Sequence, residues 1–128
     1  MFIDSHCHLN FPEFRDRTDQ ILADMAQAQV EQAICICTTL EEFDAVHRLA
    51  LNNPNLWATA GVHPDNEGVT EPTKADLVAL AALPRVVGIG ETGLDYYRLG
   101  ERTVADMAWQ RNRFHVHIEA ALATDLPL

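Results

Sequence analysis

The feature that most constrains this chain is an alternation between two hydrophobic periods. Four times over, a short apolar run rich in β-formers gives way to a segment whose apolar positions recur at helical spacing. Phe2-Ile3 opens a first strand. Asp19 to Gln29 then carries Ile21, Leu22, Met25 and Ala28 at helical intervals, with Thr18 placed to cap it. Ala33 to Cys37 reads as a second strand, followed by a helix from Glu41 to Leu51 that Pro54 ends. Trp57 to Val62 is a third strand, and Thr73 caps a third helix over Lys74 to Leu83. Val86-Val87-Gly88-Ile89 is a fourth strand, and a long helix runs from Thr103 to Thr124. Successive βα units with strands buried on both faces predict an α/β fold, a parallel sheet covered by helices. An open doubly wound sheet and a closed barrel both satisfy that pattern. After the fourth helix, Leu126-Pro127-Leu128 reads as the start of a fifth strand, and a βα barrel takes about 250 residues, roughly twice this length. No linker, low-complexity tract or fixed-period repeat divides residues 1–128, so no second domain is expected.

Charge narrows the chemistry. Nine Lys and Arg against nineteen Asp and Glu set the net charge at −10, and no segment carries a basic footprint. Nucleic acid held by phosphate neutralisation needs clusters of Lys and Arg, so polyanion chemistry here would need another positive charge, such as a bound metal. Cys7, Cys35 and Cys37 leave at least one thiol unpaired, which fits a reducing, cytoplasmic setting. The first residues lack the basic and apolar stretches of a signal peptide. The longest uncharged run, from Leu49 to Pro64, is broken by Asn52, Asn53, Pro54, Asn55 and His63, so no membrane span is expected.

The strongest local signal is Asp4-Ser5-His6-Cys7-His8 at the end of the first strand. In extended backbone His6 and His8 leave one face while Cys7 turns into packing, and two imidazoles so placed can chelate one metal. A pair of satisfied polar residues at a strand end is the plainer alternative. Gly88-Ile89-Gly90-Glu91-Thr92-Gly93 spells a dinucleotide-binding pattern, but that motif must open directly into a helix, and Leu94 to Gly100 reads as a loop. Its glycines instead let the backbone pass close to a site where Glu91 could ligate or bridge metals, or stand as a solvent-facing acid. Gly61-Val62-His63-Pro64 puts His63 at the same edge, where a neutral ring could ligate and a protonated one hold phosphate. Asp95 and Arg98 read as an acid–base or anion-binding pair, or as a surface ion pair.

Three further groups read as packing. His115 and His117 repeat the spacing of His6 and His8, but on a helix their rings point to nearly opposite sides, one packed and one solvated. His47 reads as a surface or boundary histidine. Cys35 and Cys37 lack further zinc ligands at suitable spacing and read as small hydrophobes.

Taken together, Ser5-His6-Cys7-His8-Leu9, Gly61-Val62-His63-Pro64, Gly88-Ile89-Gly90-Glu91-Thr92-Gly93-Leu94-Asp95-Tyr96-Tyr97 and Gln110-Arg111-x-x-Phe114-x-x-His117-Ile118 resemble the TatD-type metal-dependent hydrolases, also called TatD-family deoxyribonucleases. The likeness runs in the same order along all 128 residues. It implies a (β/α)8 TIM barrel of the amidohydrolase type, of which this chain supplies about the first four βα units. The same resemblance makes His6 and His8 metal ligands from strand one and Glu91 a ligand from strand four that can bridge two ions and serve the chemistry directly. Two more histidines and an aspartate from later strands complete that family's site, the first just beyond Leu128, and the aspartate is the expected general base. Residues 1–128 are then the N-terminal half of a single barrel.

The implied activity is hydrolysis of DNA phosphodiesters, commonly from the 3′ end, by water activated at one or two divalent ions. The ions also answer the charge problem, because their local field outweighs the distributed acidity of the chain. Two histidines and a carboxylate accommodate Zn, Mn, Co, Ni or Mg. His63 is assigned to substrate phosphate or scaffold, and Asp95 and Arg98 to orienting the strand-four loop beside the substrate. Two alternatives stand beside this: a catalytically inert half-barrel, and a metal-dependent amide or ester hydrolase. Neither a membrane nor a protein partner is expected.

Overall fold

In the computed structural model, which describes residues 1–128, the chain runs β1 (Phe2–Cys7), α1 (Thr18–Gln27), β2 (Val30–Cys35), α2 (Phe43–Asn52), β3 (Leu56–Ala60), α3 (Lys74–Ala81), β4 (Val86–Ile89) and α4 (Ala108–Thr124). The fourth strand falls where the apolar run places it, and the first, opened by Phe2-Ile3, runs on through Asp4 to Cys7 as expected. Polar Asp4, Ser5 and His6 stay extended because β2 pairs alongside them, with Asp4 opposite Ala33 and Cys7 opposite Cys35. β2 begins earlier and ends earlier than expected. Thr18 is the first residue of α1 rather than its cap, and no side chain caps that helix. Thr73 does cap α3: its hydroxyl accepts from the Asp76 amide at 3.1 Å while the Asp76 carboxylate accepts from the Thr73 amide at 2.9 Å. Donation from the Thr73 hydroxyl, at 2.6 Å, and then from the Thr73 amide holds the Asp76 carboxyl below its ordinary pKa.

All four strands are parallel and lie in the order β1-β2-β3-β4. A doubly wound sheet reverses its strand order at a switch point, and this one never reverses. Each βα unit adds its strand on the same side, which is how a (β/α)8 barrel is built up. The expected fifth strand is present only as a beginning. The Ile89 amide donates to the Pro127 carbonyl at 2.9 Å, which lays residues 126–128 along the free edge of β4, although they form no regular strand.

One face of the sheet packs against the helices. Ala33, Cys35 and Cys37, then Leu56, Ala58 and Ala60, alternate into a core closed by Phe43, Val46 and Ala50 of α2, with Ile21, Leu22 and Met25 of α1 beside it. A second cluster joins Leu77 and Ala81 of α3 to Ile89 and to Ala120 and Ala121 of α4. The expectation of strands covered on both faces is met on this side only. Ile34, Ile36, Thr59 and Val87 line a cleft of about 570 Å³ on the opposite, concave face. The physical reason is curvature: a barrel's inner face is filled by its own strands, with no helix layer. No helix is long and apolar enough to cross a membrane.

Candidate metal centre

The extended backbone at the C-terminal end of β1 sends His6 and His8 to one side and Cys7 to the other. The Cys7 thiol lies 4.0 Å from that of Cys35 and donates to the Ile34 carbonyl, so it anchors the strand end while the two rings project. Their Nε2 atoms are 3.2 Å apart. The Nδ1 of His8 lies 3.2 Å from the Ile36 carbonyl, which can only accept, so Nδ1 carries a proton and Nε2 is the nitrogen whose lone pair the neutral ring offers to a metal. Phe11 stacks on the same ring at 4.7 Å and fixes its plane.

Glu91 has farther to come. In a flat sheet β1 and β4 would stand about 14 Å apart at the usual strand spacing, yet Glu91 Oε2 is 3.4 Å from His6 Nε2 and 3.7 Å from His8 Nε2. Beyond Ile89 the chain crosses the tip of β3. The Gly90 amide donates to the Ala60 carbonyl, and the Glu91 amide reaches past β3 to the Cys37 carbonyl after β2, at 3.2 Å. The crossing needs Gly61, because a Cβ there would sit 2.6 Å from the Gly90 carbonyl carbon. Gly90 itself has φ +153°, and the buried Thr59 hydroxyl donates to its carbonyl at 2.5 Å while accepting from the Cys37 amide.

The three groups therefore offer ligand atoms within 4.8 Å of one another. A divalent ion about 2.0–2.1 Å from each imidazole nitrogen needs those nitrogens about 3.2–3.4 Å apart, which matches His6 and His8, and the neighbouring carboxylate supplies negative charge. The donor set fits a divalent cation.

His63 comes to the same place with the opposite tautomer. Its Nδ1 accepts from the Asp65 amide at 3.0 Å, so Nε2 carries the proton and faces Glu91 Oε1 at 3.3 Å. The sequence left open a neutral ligand and a protonated phosphate holder; the ring as placed is a neutral donor. Its main chain is held by three fully buried polar residues at positions i, i+3 and i+7 of α4. Gln110 donates to the Pro64 carbonyl, Arg113 to those of His63 and Asn66, and His117 Nε2 accepts from the Val62 amide. Arg113 also forms an ion pair with Glu71. The part played by Arg113 and Gln110 was missed in the sequence, although polar residues at that spacing among Met107, Ala120 and Ala121 are its visible signal.

His117 is the packed ring of its pair and His115 the exposed one. Burial holds the His117 pKa below the ordinary histidine value. The unfolded chain then takes up this proton at higher pH than the folded one, so the stability it carries is complete above the ordinary value and declines as pH falls below it. Thermal denaturation between roughly pH 7.5 and 5.5 is expected to show a decline that is flatter in His117→Gln.

Arg98 does not pair with Asp95. Its guanidinium donates to Asp65 at 3.1 Å and lines, with His8, Phe11, His63 and Glu91, a cleft of about 270 Å³. Asp95 turns back on its own loop, accepting from the Tyr97 amide at 2.9 Å. No helix follows Gly93 directly, so the glycine pattern does not make a dinucleotide site. His47, mid-helix in α2, is the half-buried boundary residue expected, its ring donating to the Pro84 carbonyl and stacked on Phe43. Cys35 and Cys37 are buried core residues, and burial pushes the Cys37 thiol up to about 11.

Known proteins match this arrangement along nearly the whole chain. A sequence profile of the family described as TatD related DNase matches residues 3–128. A protein of Citrobacter rodentium named 3′-5′ ssDNA/RNA exonuclease TatD is 34% identical over 122 residues, covering 94% of this chain and 45% of that protein. The Escherichia coli K12 protein named uncharacterized metal-dependent hydrolase YcfH is 33% identical, covering 98% of this chain and 47% of its own length. The crystal structure of YjjV, a TatD homolog from E. coli K12, superposes with a TM-score of 0.84 at 30% identity, over 98% of this chain and 48% of that one. A TatD-family hydrolase from Entamoeba histolytica shares the fold, with a TM-score of 0.68 at 21% identity. The chain spans about half the length of the relatives it matches. With the sequential parallel sheet of a partial (β/α)8 barrel, and a family profile matched from residue 3 to residue 128, this chain belongs to the TatD-related family of metal-dependent hydrolases.

Proposed function

We propose that residues 1–128 form the N-terminal half of a single barrel whose site hydrolyses DNA phosphodiesters, working from the 3′ end. The observation that carries the reading is the meeting of His6, His8 and Glu91, with the His63 donor alongside, at the C-terminal end of a parallel sheet. That edge is where barrels of this kind keep their chemistry.

His6 and His8 would hold one or two divalent ions through Nε2, together with the Glu91 carboxylate. A bound Mg, Mn, Co, Ni or Zn ion supplies Lewis-acid charge for the phosphate and makes attacking water available at neutral pH. The chain's own contribution is to orient. The His8–Ile36 contact keeps the ligand tautomer. His63 Nε2–H can donate to a phosphate oxygen as readily as to Glu91 and carries no net charge to desolvate. Arg98 offers a guanidinium to the same phosphate from the rim, and Asp95 shapes the loop that bears it. The printed name of the C. rodentium relative, an exonuclease of single-stranded DNA and RNA, supports a nucleic-acid substrate. Three unpaired cysteines support a reducing, cytoplasmic compartment.

The test is a substrate panel on the intact protein carrying this chain, loaded in turn with each ion. Single-stranded DNA with a free 3′ end is expected to be shortened from that end, and a chelator to stop it. Faster turnover of carboxylic esters or phosphotriesters than of DNA would overturn the reading in favour of an amide- or ester-type hydrolase. The open concave face favours a second reading for residues 1–128 by themselves, that they bind metal weakly and turn nothing over. Assaying the 128-residue chain beside the intact protein separates the two.

A further inference from the structure

We propose that Gln110 is a positioning residue that locks the loop bearing His63 and the loop bearing Arg98 into one rigid unit facing the cleft. Only the identity of what that unit touches rests on the phosphodiesterase reading.

Gln110 is wholly buried and gives its amide entirely to main chain from two separate loops. Its Oε1 accepts from the Asp95 amide at 2.9 Å, and its Nε2 donates to the Asp95 carbonyl and to the Pro64 carbonyl, each at 3.1 Å. The orientation is fixed, because the Asp95 amide can only donate and the two carbonyls can only accept. Pro64 follows His63 directly, and Asp95 organises the turn that leads to Arg98. Two other links join the same loops, Arg98 with Asp65 and Arg102 with Glu67. Both are solvent-facing ion pairs, which hold geometry weakly. Breaking Gln110 instead leaves the buried Pro64 carbonyl and the half-buried Asp95 amide and carbonyl without their partner, so the buried amide carries the connection.

The consequence is preorganisation. His63 and Arg98 line the cleft beside His8 and Glu91 from loops that are remote in sequence. Held independently, each would have to be ordered when substrate arrives. Arg113 and His117 also hold the turn at His63, but Gln110 alone ties it to the loop at Asp95. Joined by that amide the two loops keep a common geometry in advance, and a misplacement of about an ångström in such groups can cost 100-fold in rate. Gln110 touches no metal ligand itself; the one contact between this unit and the ligands is His63 with Glu91, and Glu91 is held separately by its own amide on the Cys37 carbonyl, so the effect falls on turnover far more than on ion binding.

The experiment uses Gln110→Met, which removes the polar amide, and Gln110→Glu, which keeps the size and the acceptor for Asp95 but sets a carboxylate against two carbonyls. In the Mn²⁺-loaded intact protein both are expected to lower kcat/KM on single-stranded DNA by about 10- to 100-fold. The Mn²⁺ dissociation constant should stay unchanged, and the loss should nearly vanish in a His63→Ala, Arg98→Ala background, where nothing is left to position. An equal loss in that background, or a parallel loss of Mn²⁺ affinity, overturns the proposal. Amide hydrogen exchange in the metal-free protein gives a reading that needs no activity. The Asp65 amide, which bonds to the His63 ring, and the Asp95 amide should be deprotected together. Deprotection of Asp95 alone overturns the coupling. Absence of phosphodiesterase activity in the wild type, with the joint deprotection intact, would sink the functional reading and leave the positioning role standing. If Gln110→Met does not fold, Gln110→Glu carries the same measurements.

Discussion

Glu91→Gln is expected to lower divalent-ion affinity by at least about 100-fold, more than the 10- to 100-fold typical of residues that only support a ligand. The amide keeps the size of the side chain and removes its charge, at a point where His6, His8 and His63 all present Nε2 within 3.7 Å. Titration with Mn²⁺ or Zn²⁺ followed by thermal denaturation measures it. An ion at about a hundredfold excess over its dissociation constant stabilises the native state by about 2.7 kcal/mol, but by no more than about 0.4 kcal/mol once affinity has fallen about 100-fold, so the wild type should shift clearly upward in Tm and the variant barely at all. Without metal the two should differ by no more than about 1 kcal/mol, because Glu91 is partly exposed and its side chain packs no core. Equal metal-dependent stabilisation of both proteins would remove Glu91 from the ligand set.

The second large effect is at a residue with no functional group. Gly61→Ala places a methyl 2.6–2.7 Å from three main-chain atoms of Gly90. Backbone cannot swing aside as a flexible side chain does, so the crossing of β3 by the segment after β4 must open. Overpacking of this kind costs about 1–3 kcal/mol. More to the point, it moves Glu91 away from His6 and His8, and divalent affinity is expected to fall by about 10- to 100-fold. Gly68→Ala is the control. At φ +72° it is strained as alanine, but nothing lies within 4 Å of the new methyl, so it presses on no main chain of the crossing and should lose stability while keeping its ion affinity. A Gly61→Ala protein with normal affinity would show that the close approach does not place Glu91.

Much of this protein is legible from local pattern. Val86 to Ile89 forms the predicted strand, Thr73 makes the predicted cap, and the period of two puts His6 and His8 together with Cys7 behind them. The helical period likewise separates His115 from His117. Each of these depends on residues a few positions apart, where backbone geometry alone dictates which side chains share a face. Asp95 and Arg98 show where the local pattern stops, since adjacency in one loop suggested a pair while Arg98 reaches Asp65 on another. The concave face shows it again, because apolar strands look alike whether a helix layer or a barrel interior receives them.

By itself, then, the sequence determined the alternation of strands and helices, the chelating pair on β1 and the family to which its motifs point. Tertiary structure decided that the strands add in unbroken order, that Glu91 crosses β3 to reach β1, and that His8 and His63 carry their protons on opposite nitrogens. Strand order is invisible locally because open sheets and barrels use the same βα unit. The crossing depends on Gly61 and Gly90, twenty-nine positions apart, meeting at the tips of neighbouring strands. The tautomers depend on which main-chain group stands beside each Nδ1: for His8 a carbonyl on the segment after β2, for His63 an amide in its own turn. A hydrogen-bond partner brought in from another strand is chosen by packing, and only the folded chain supplies it.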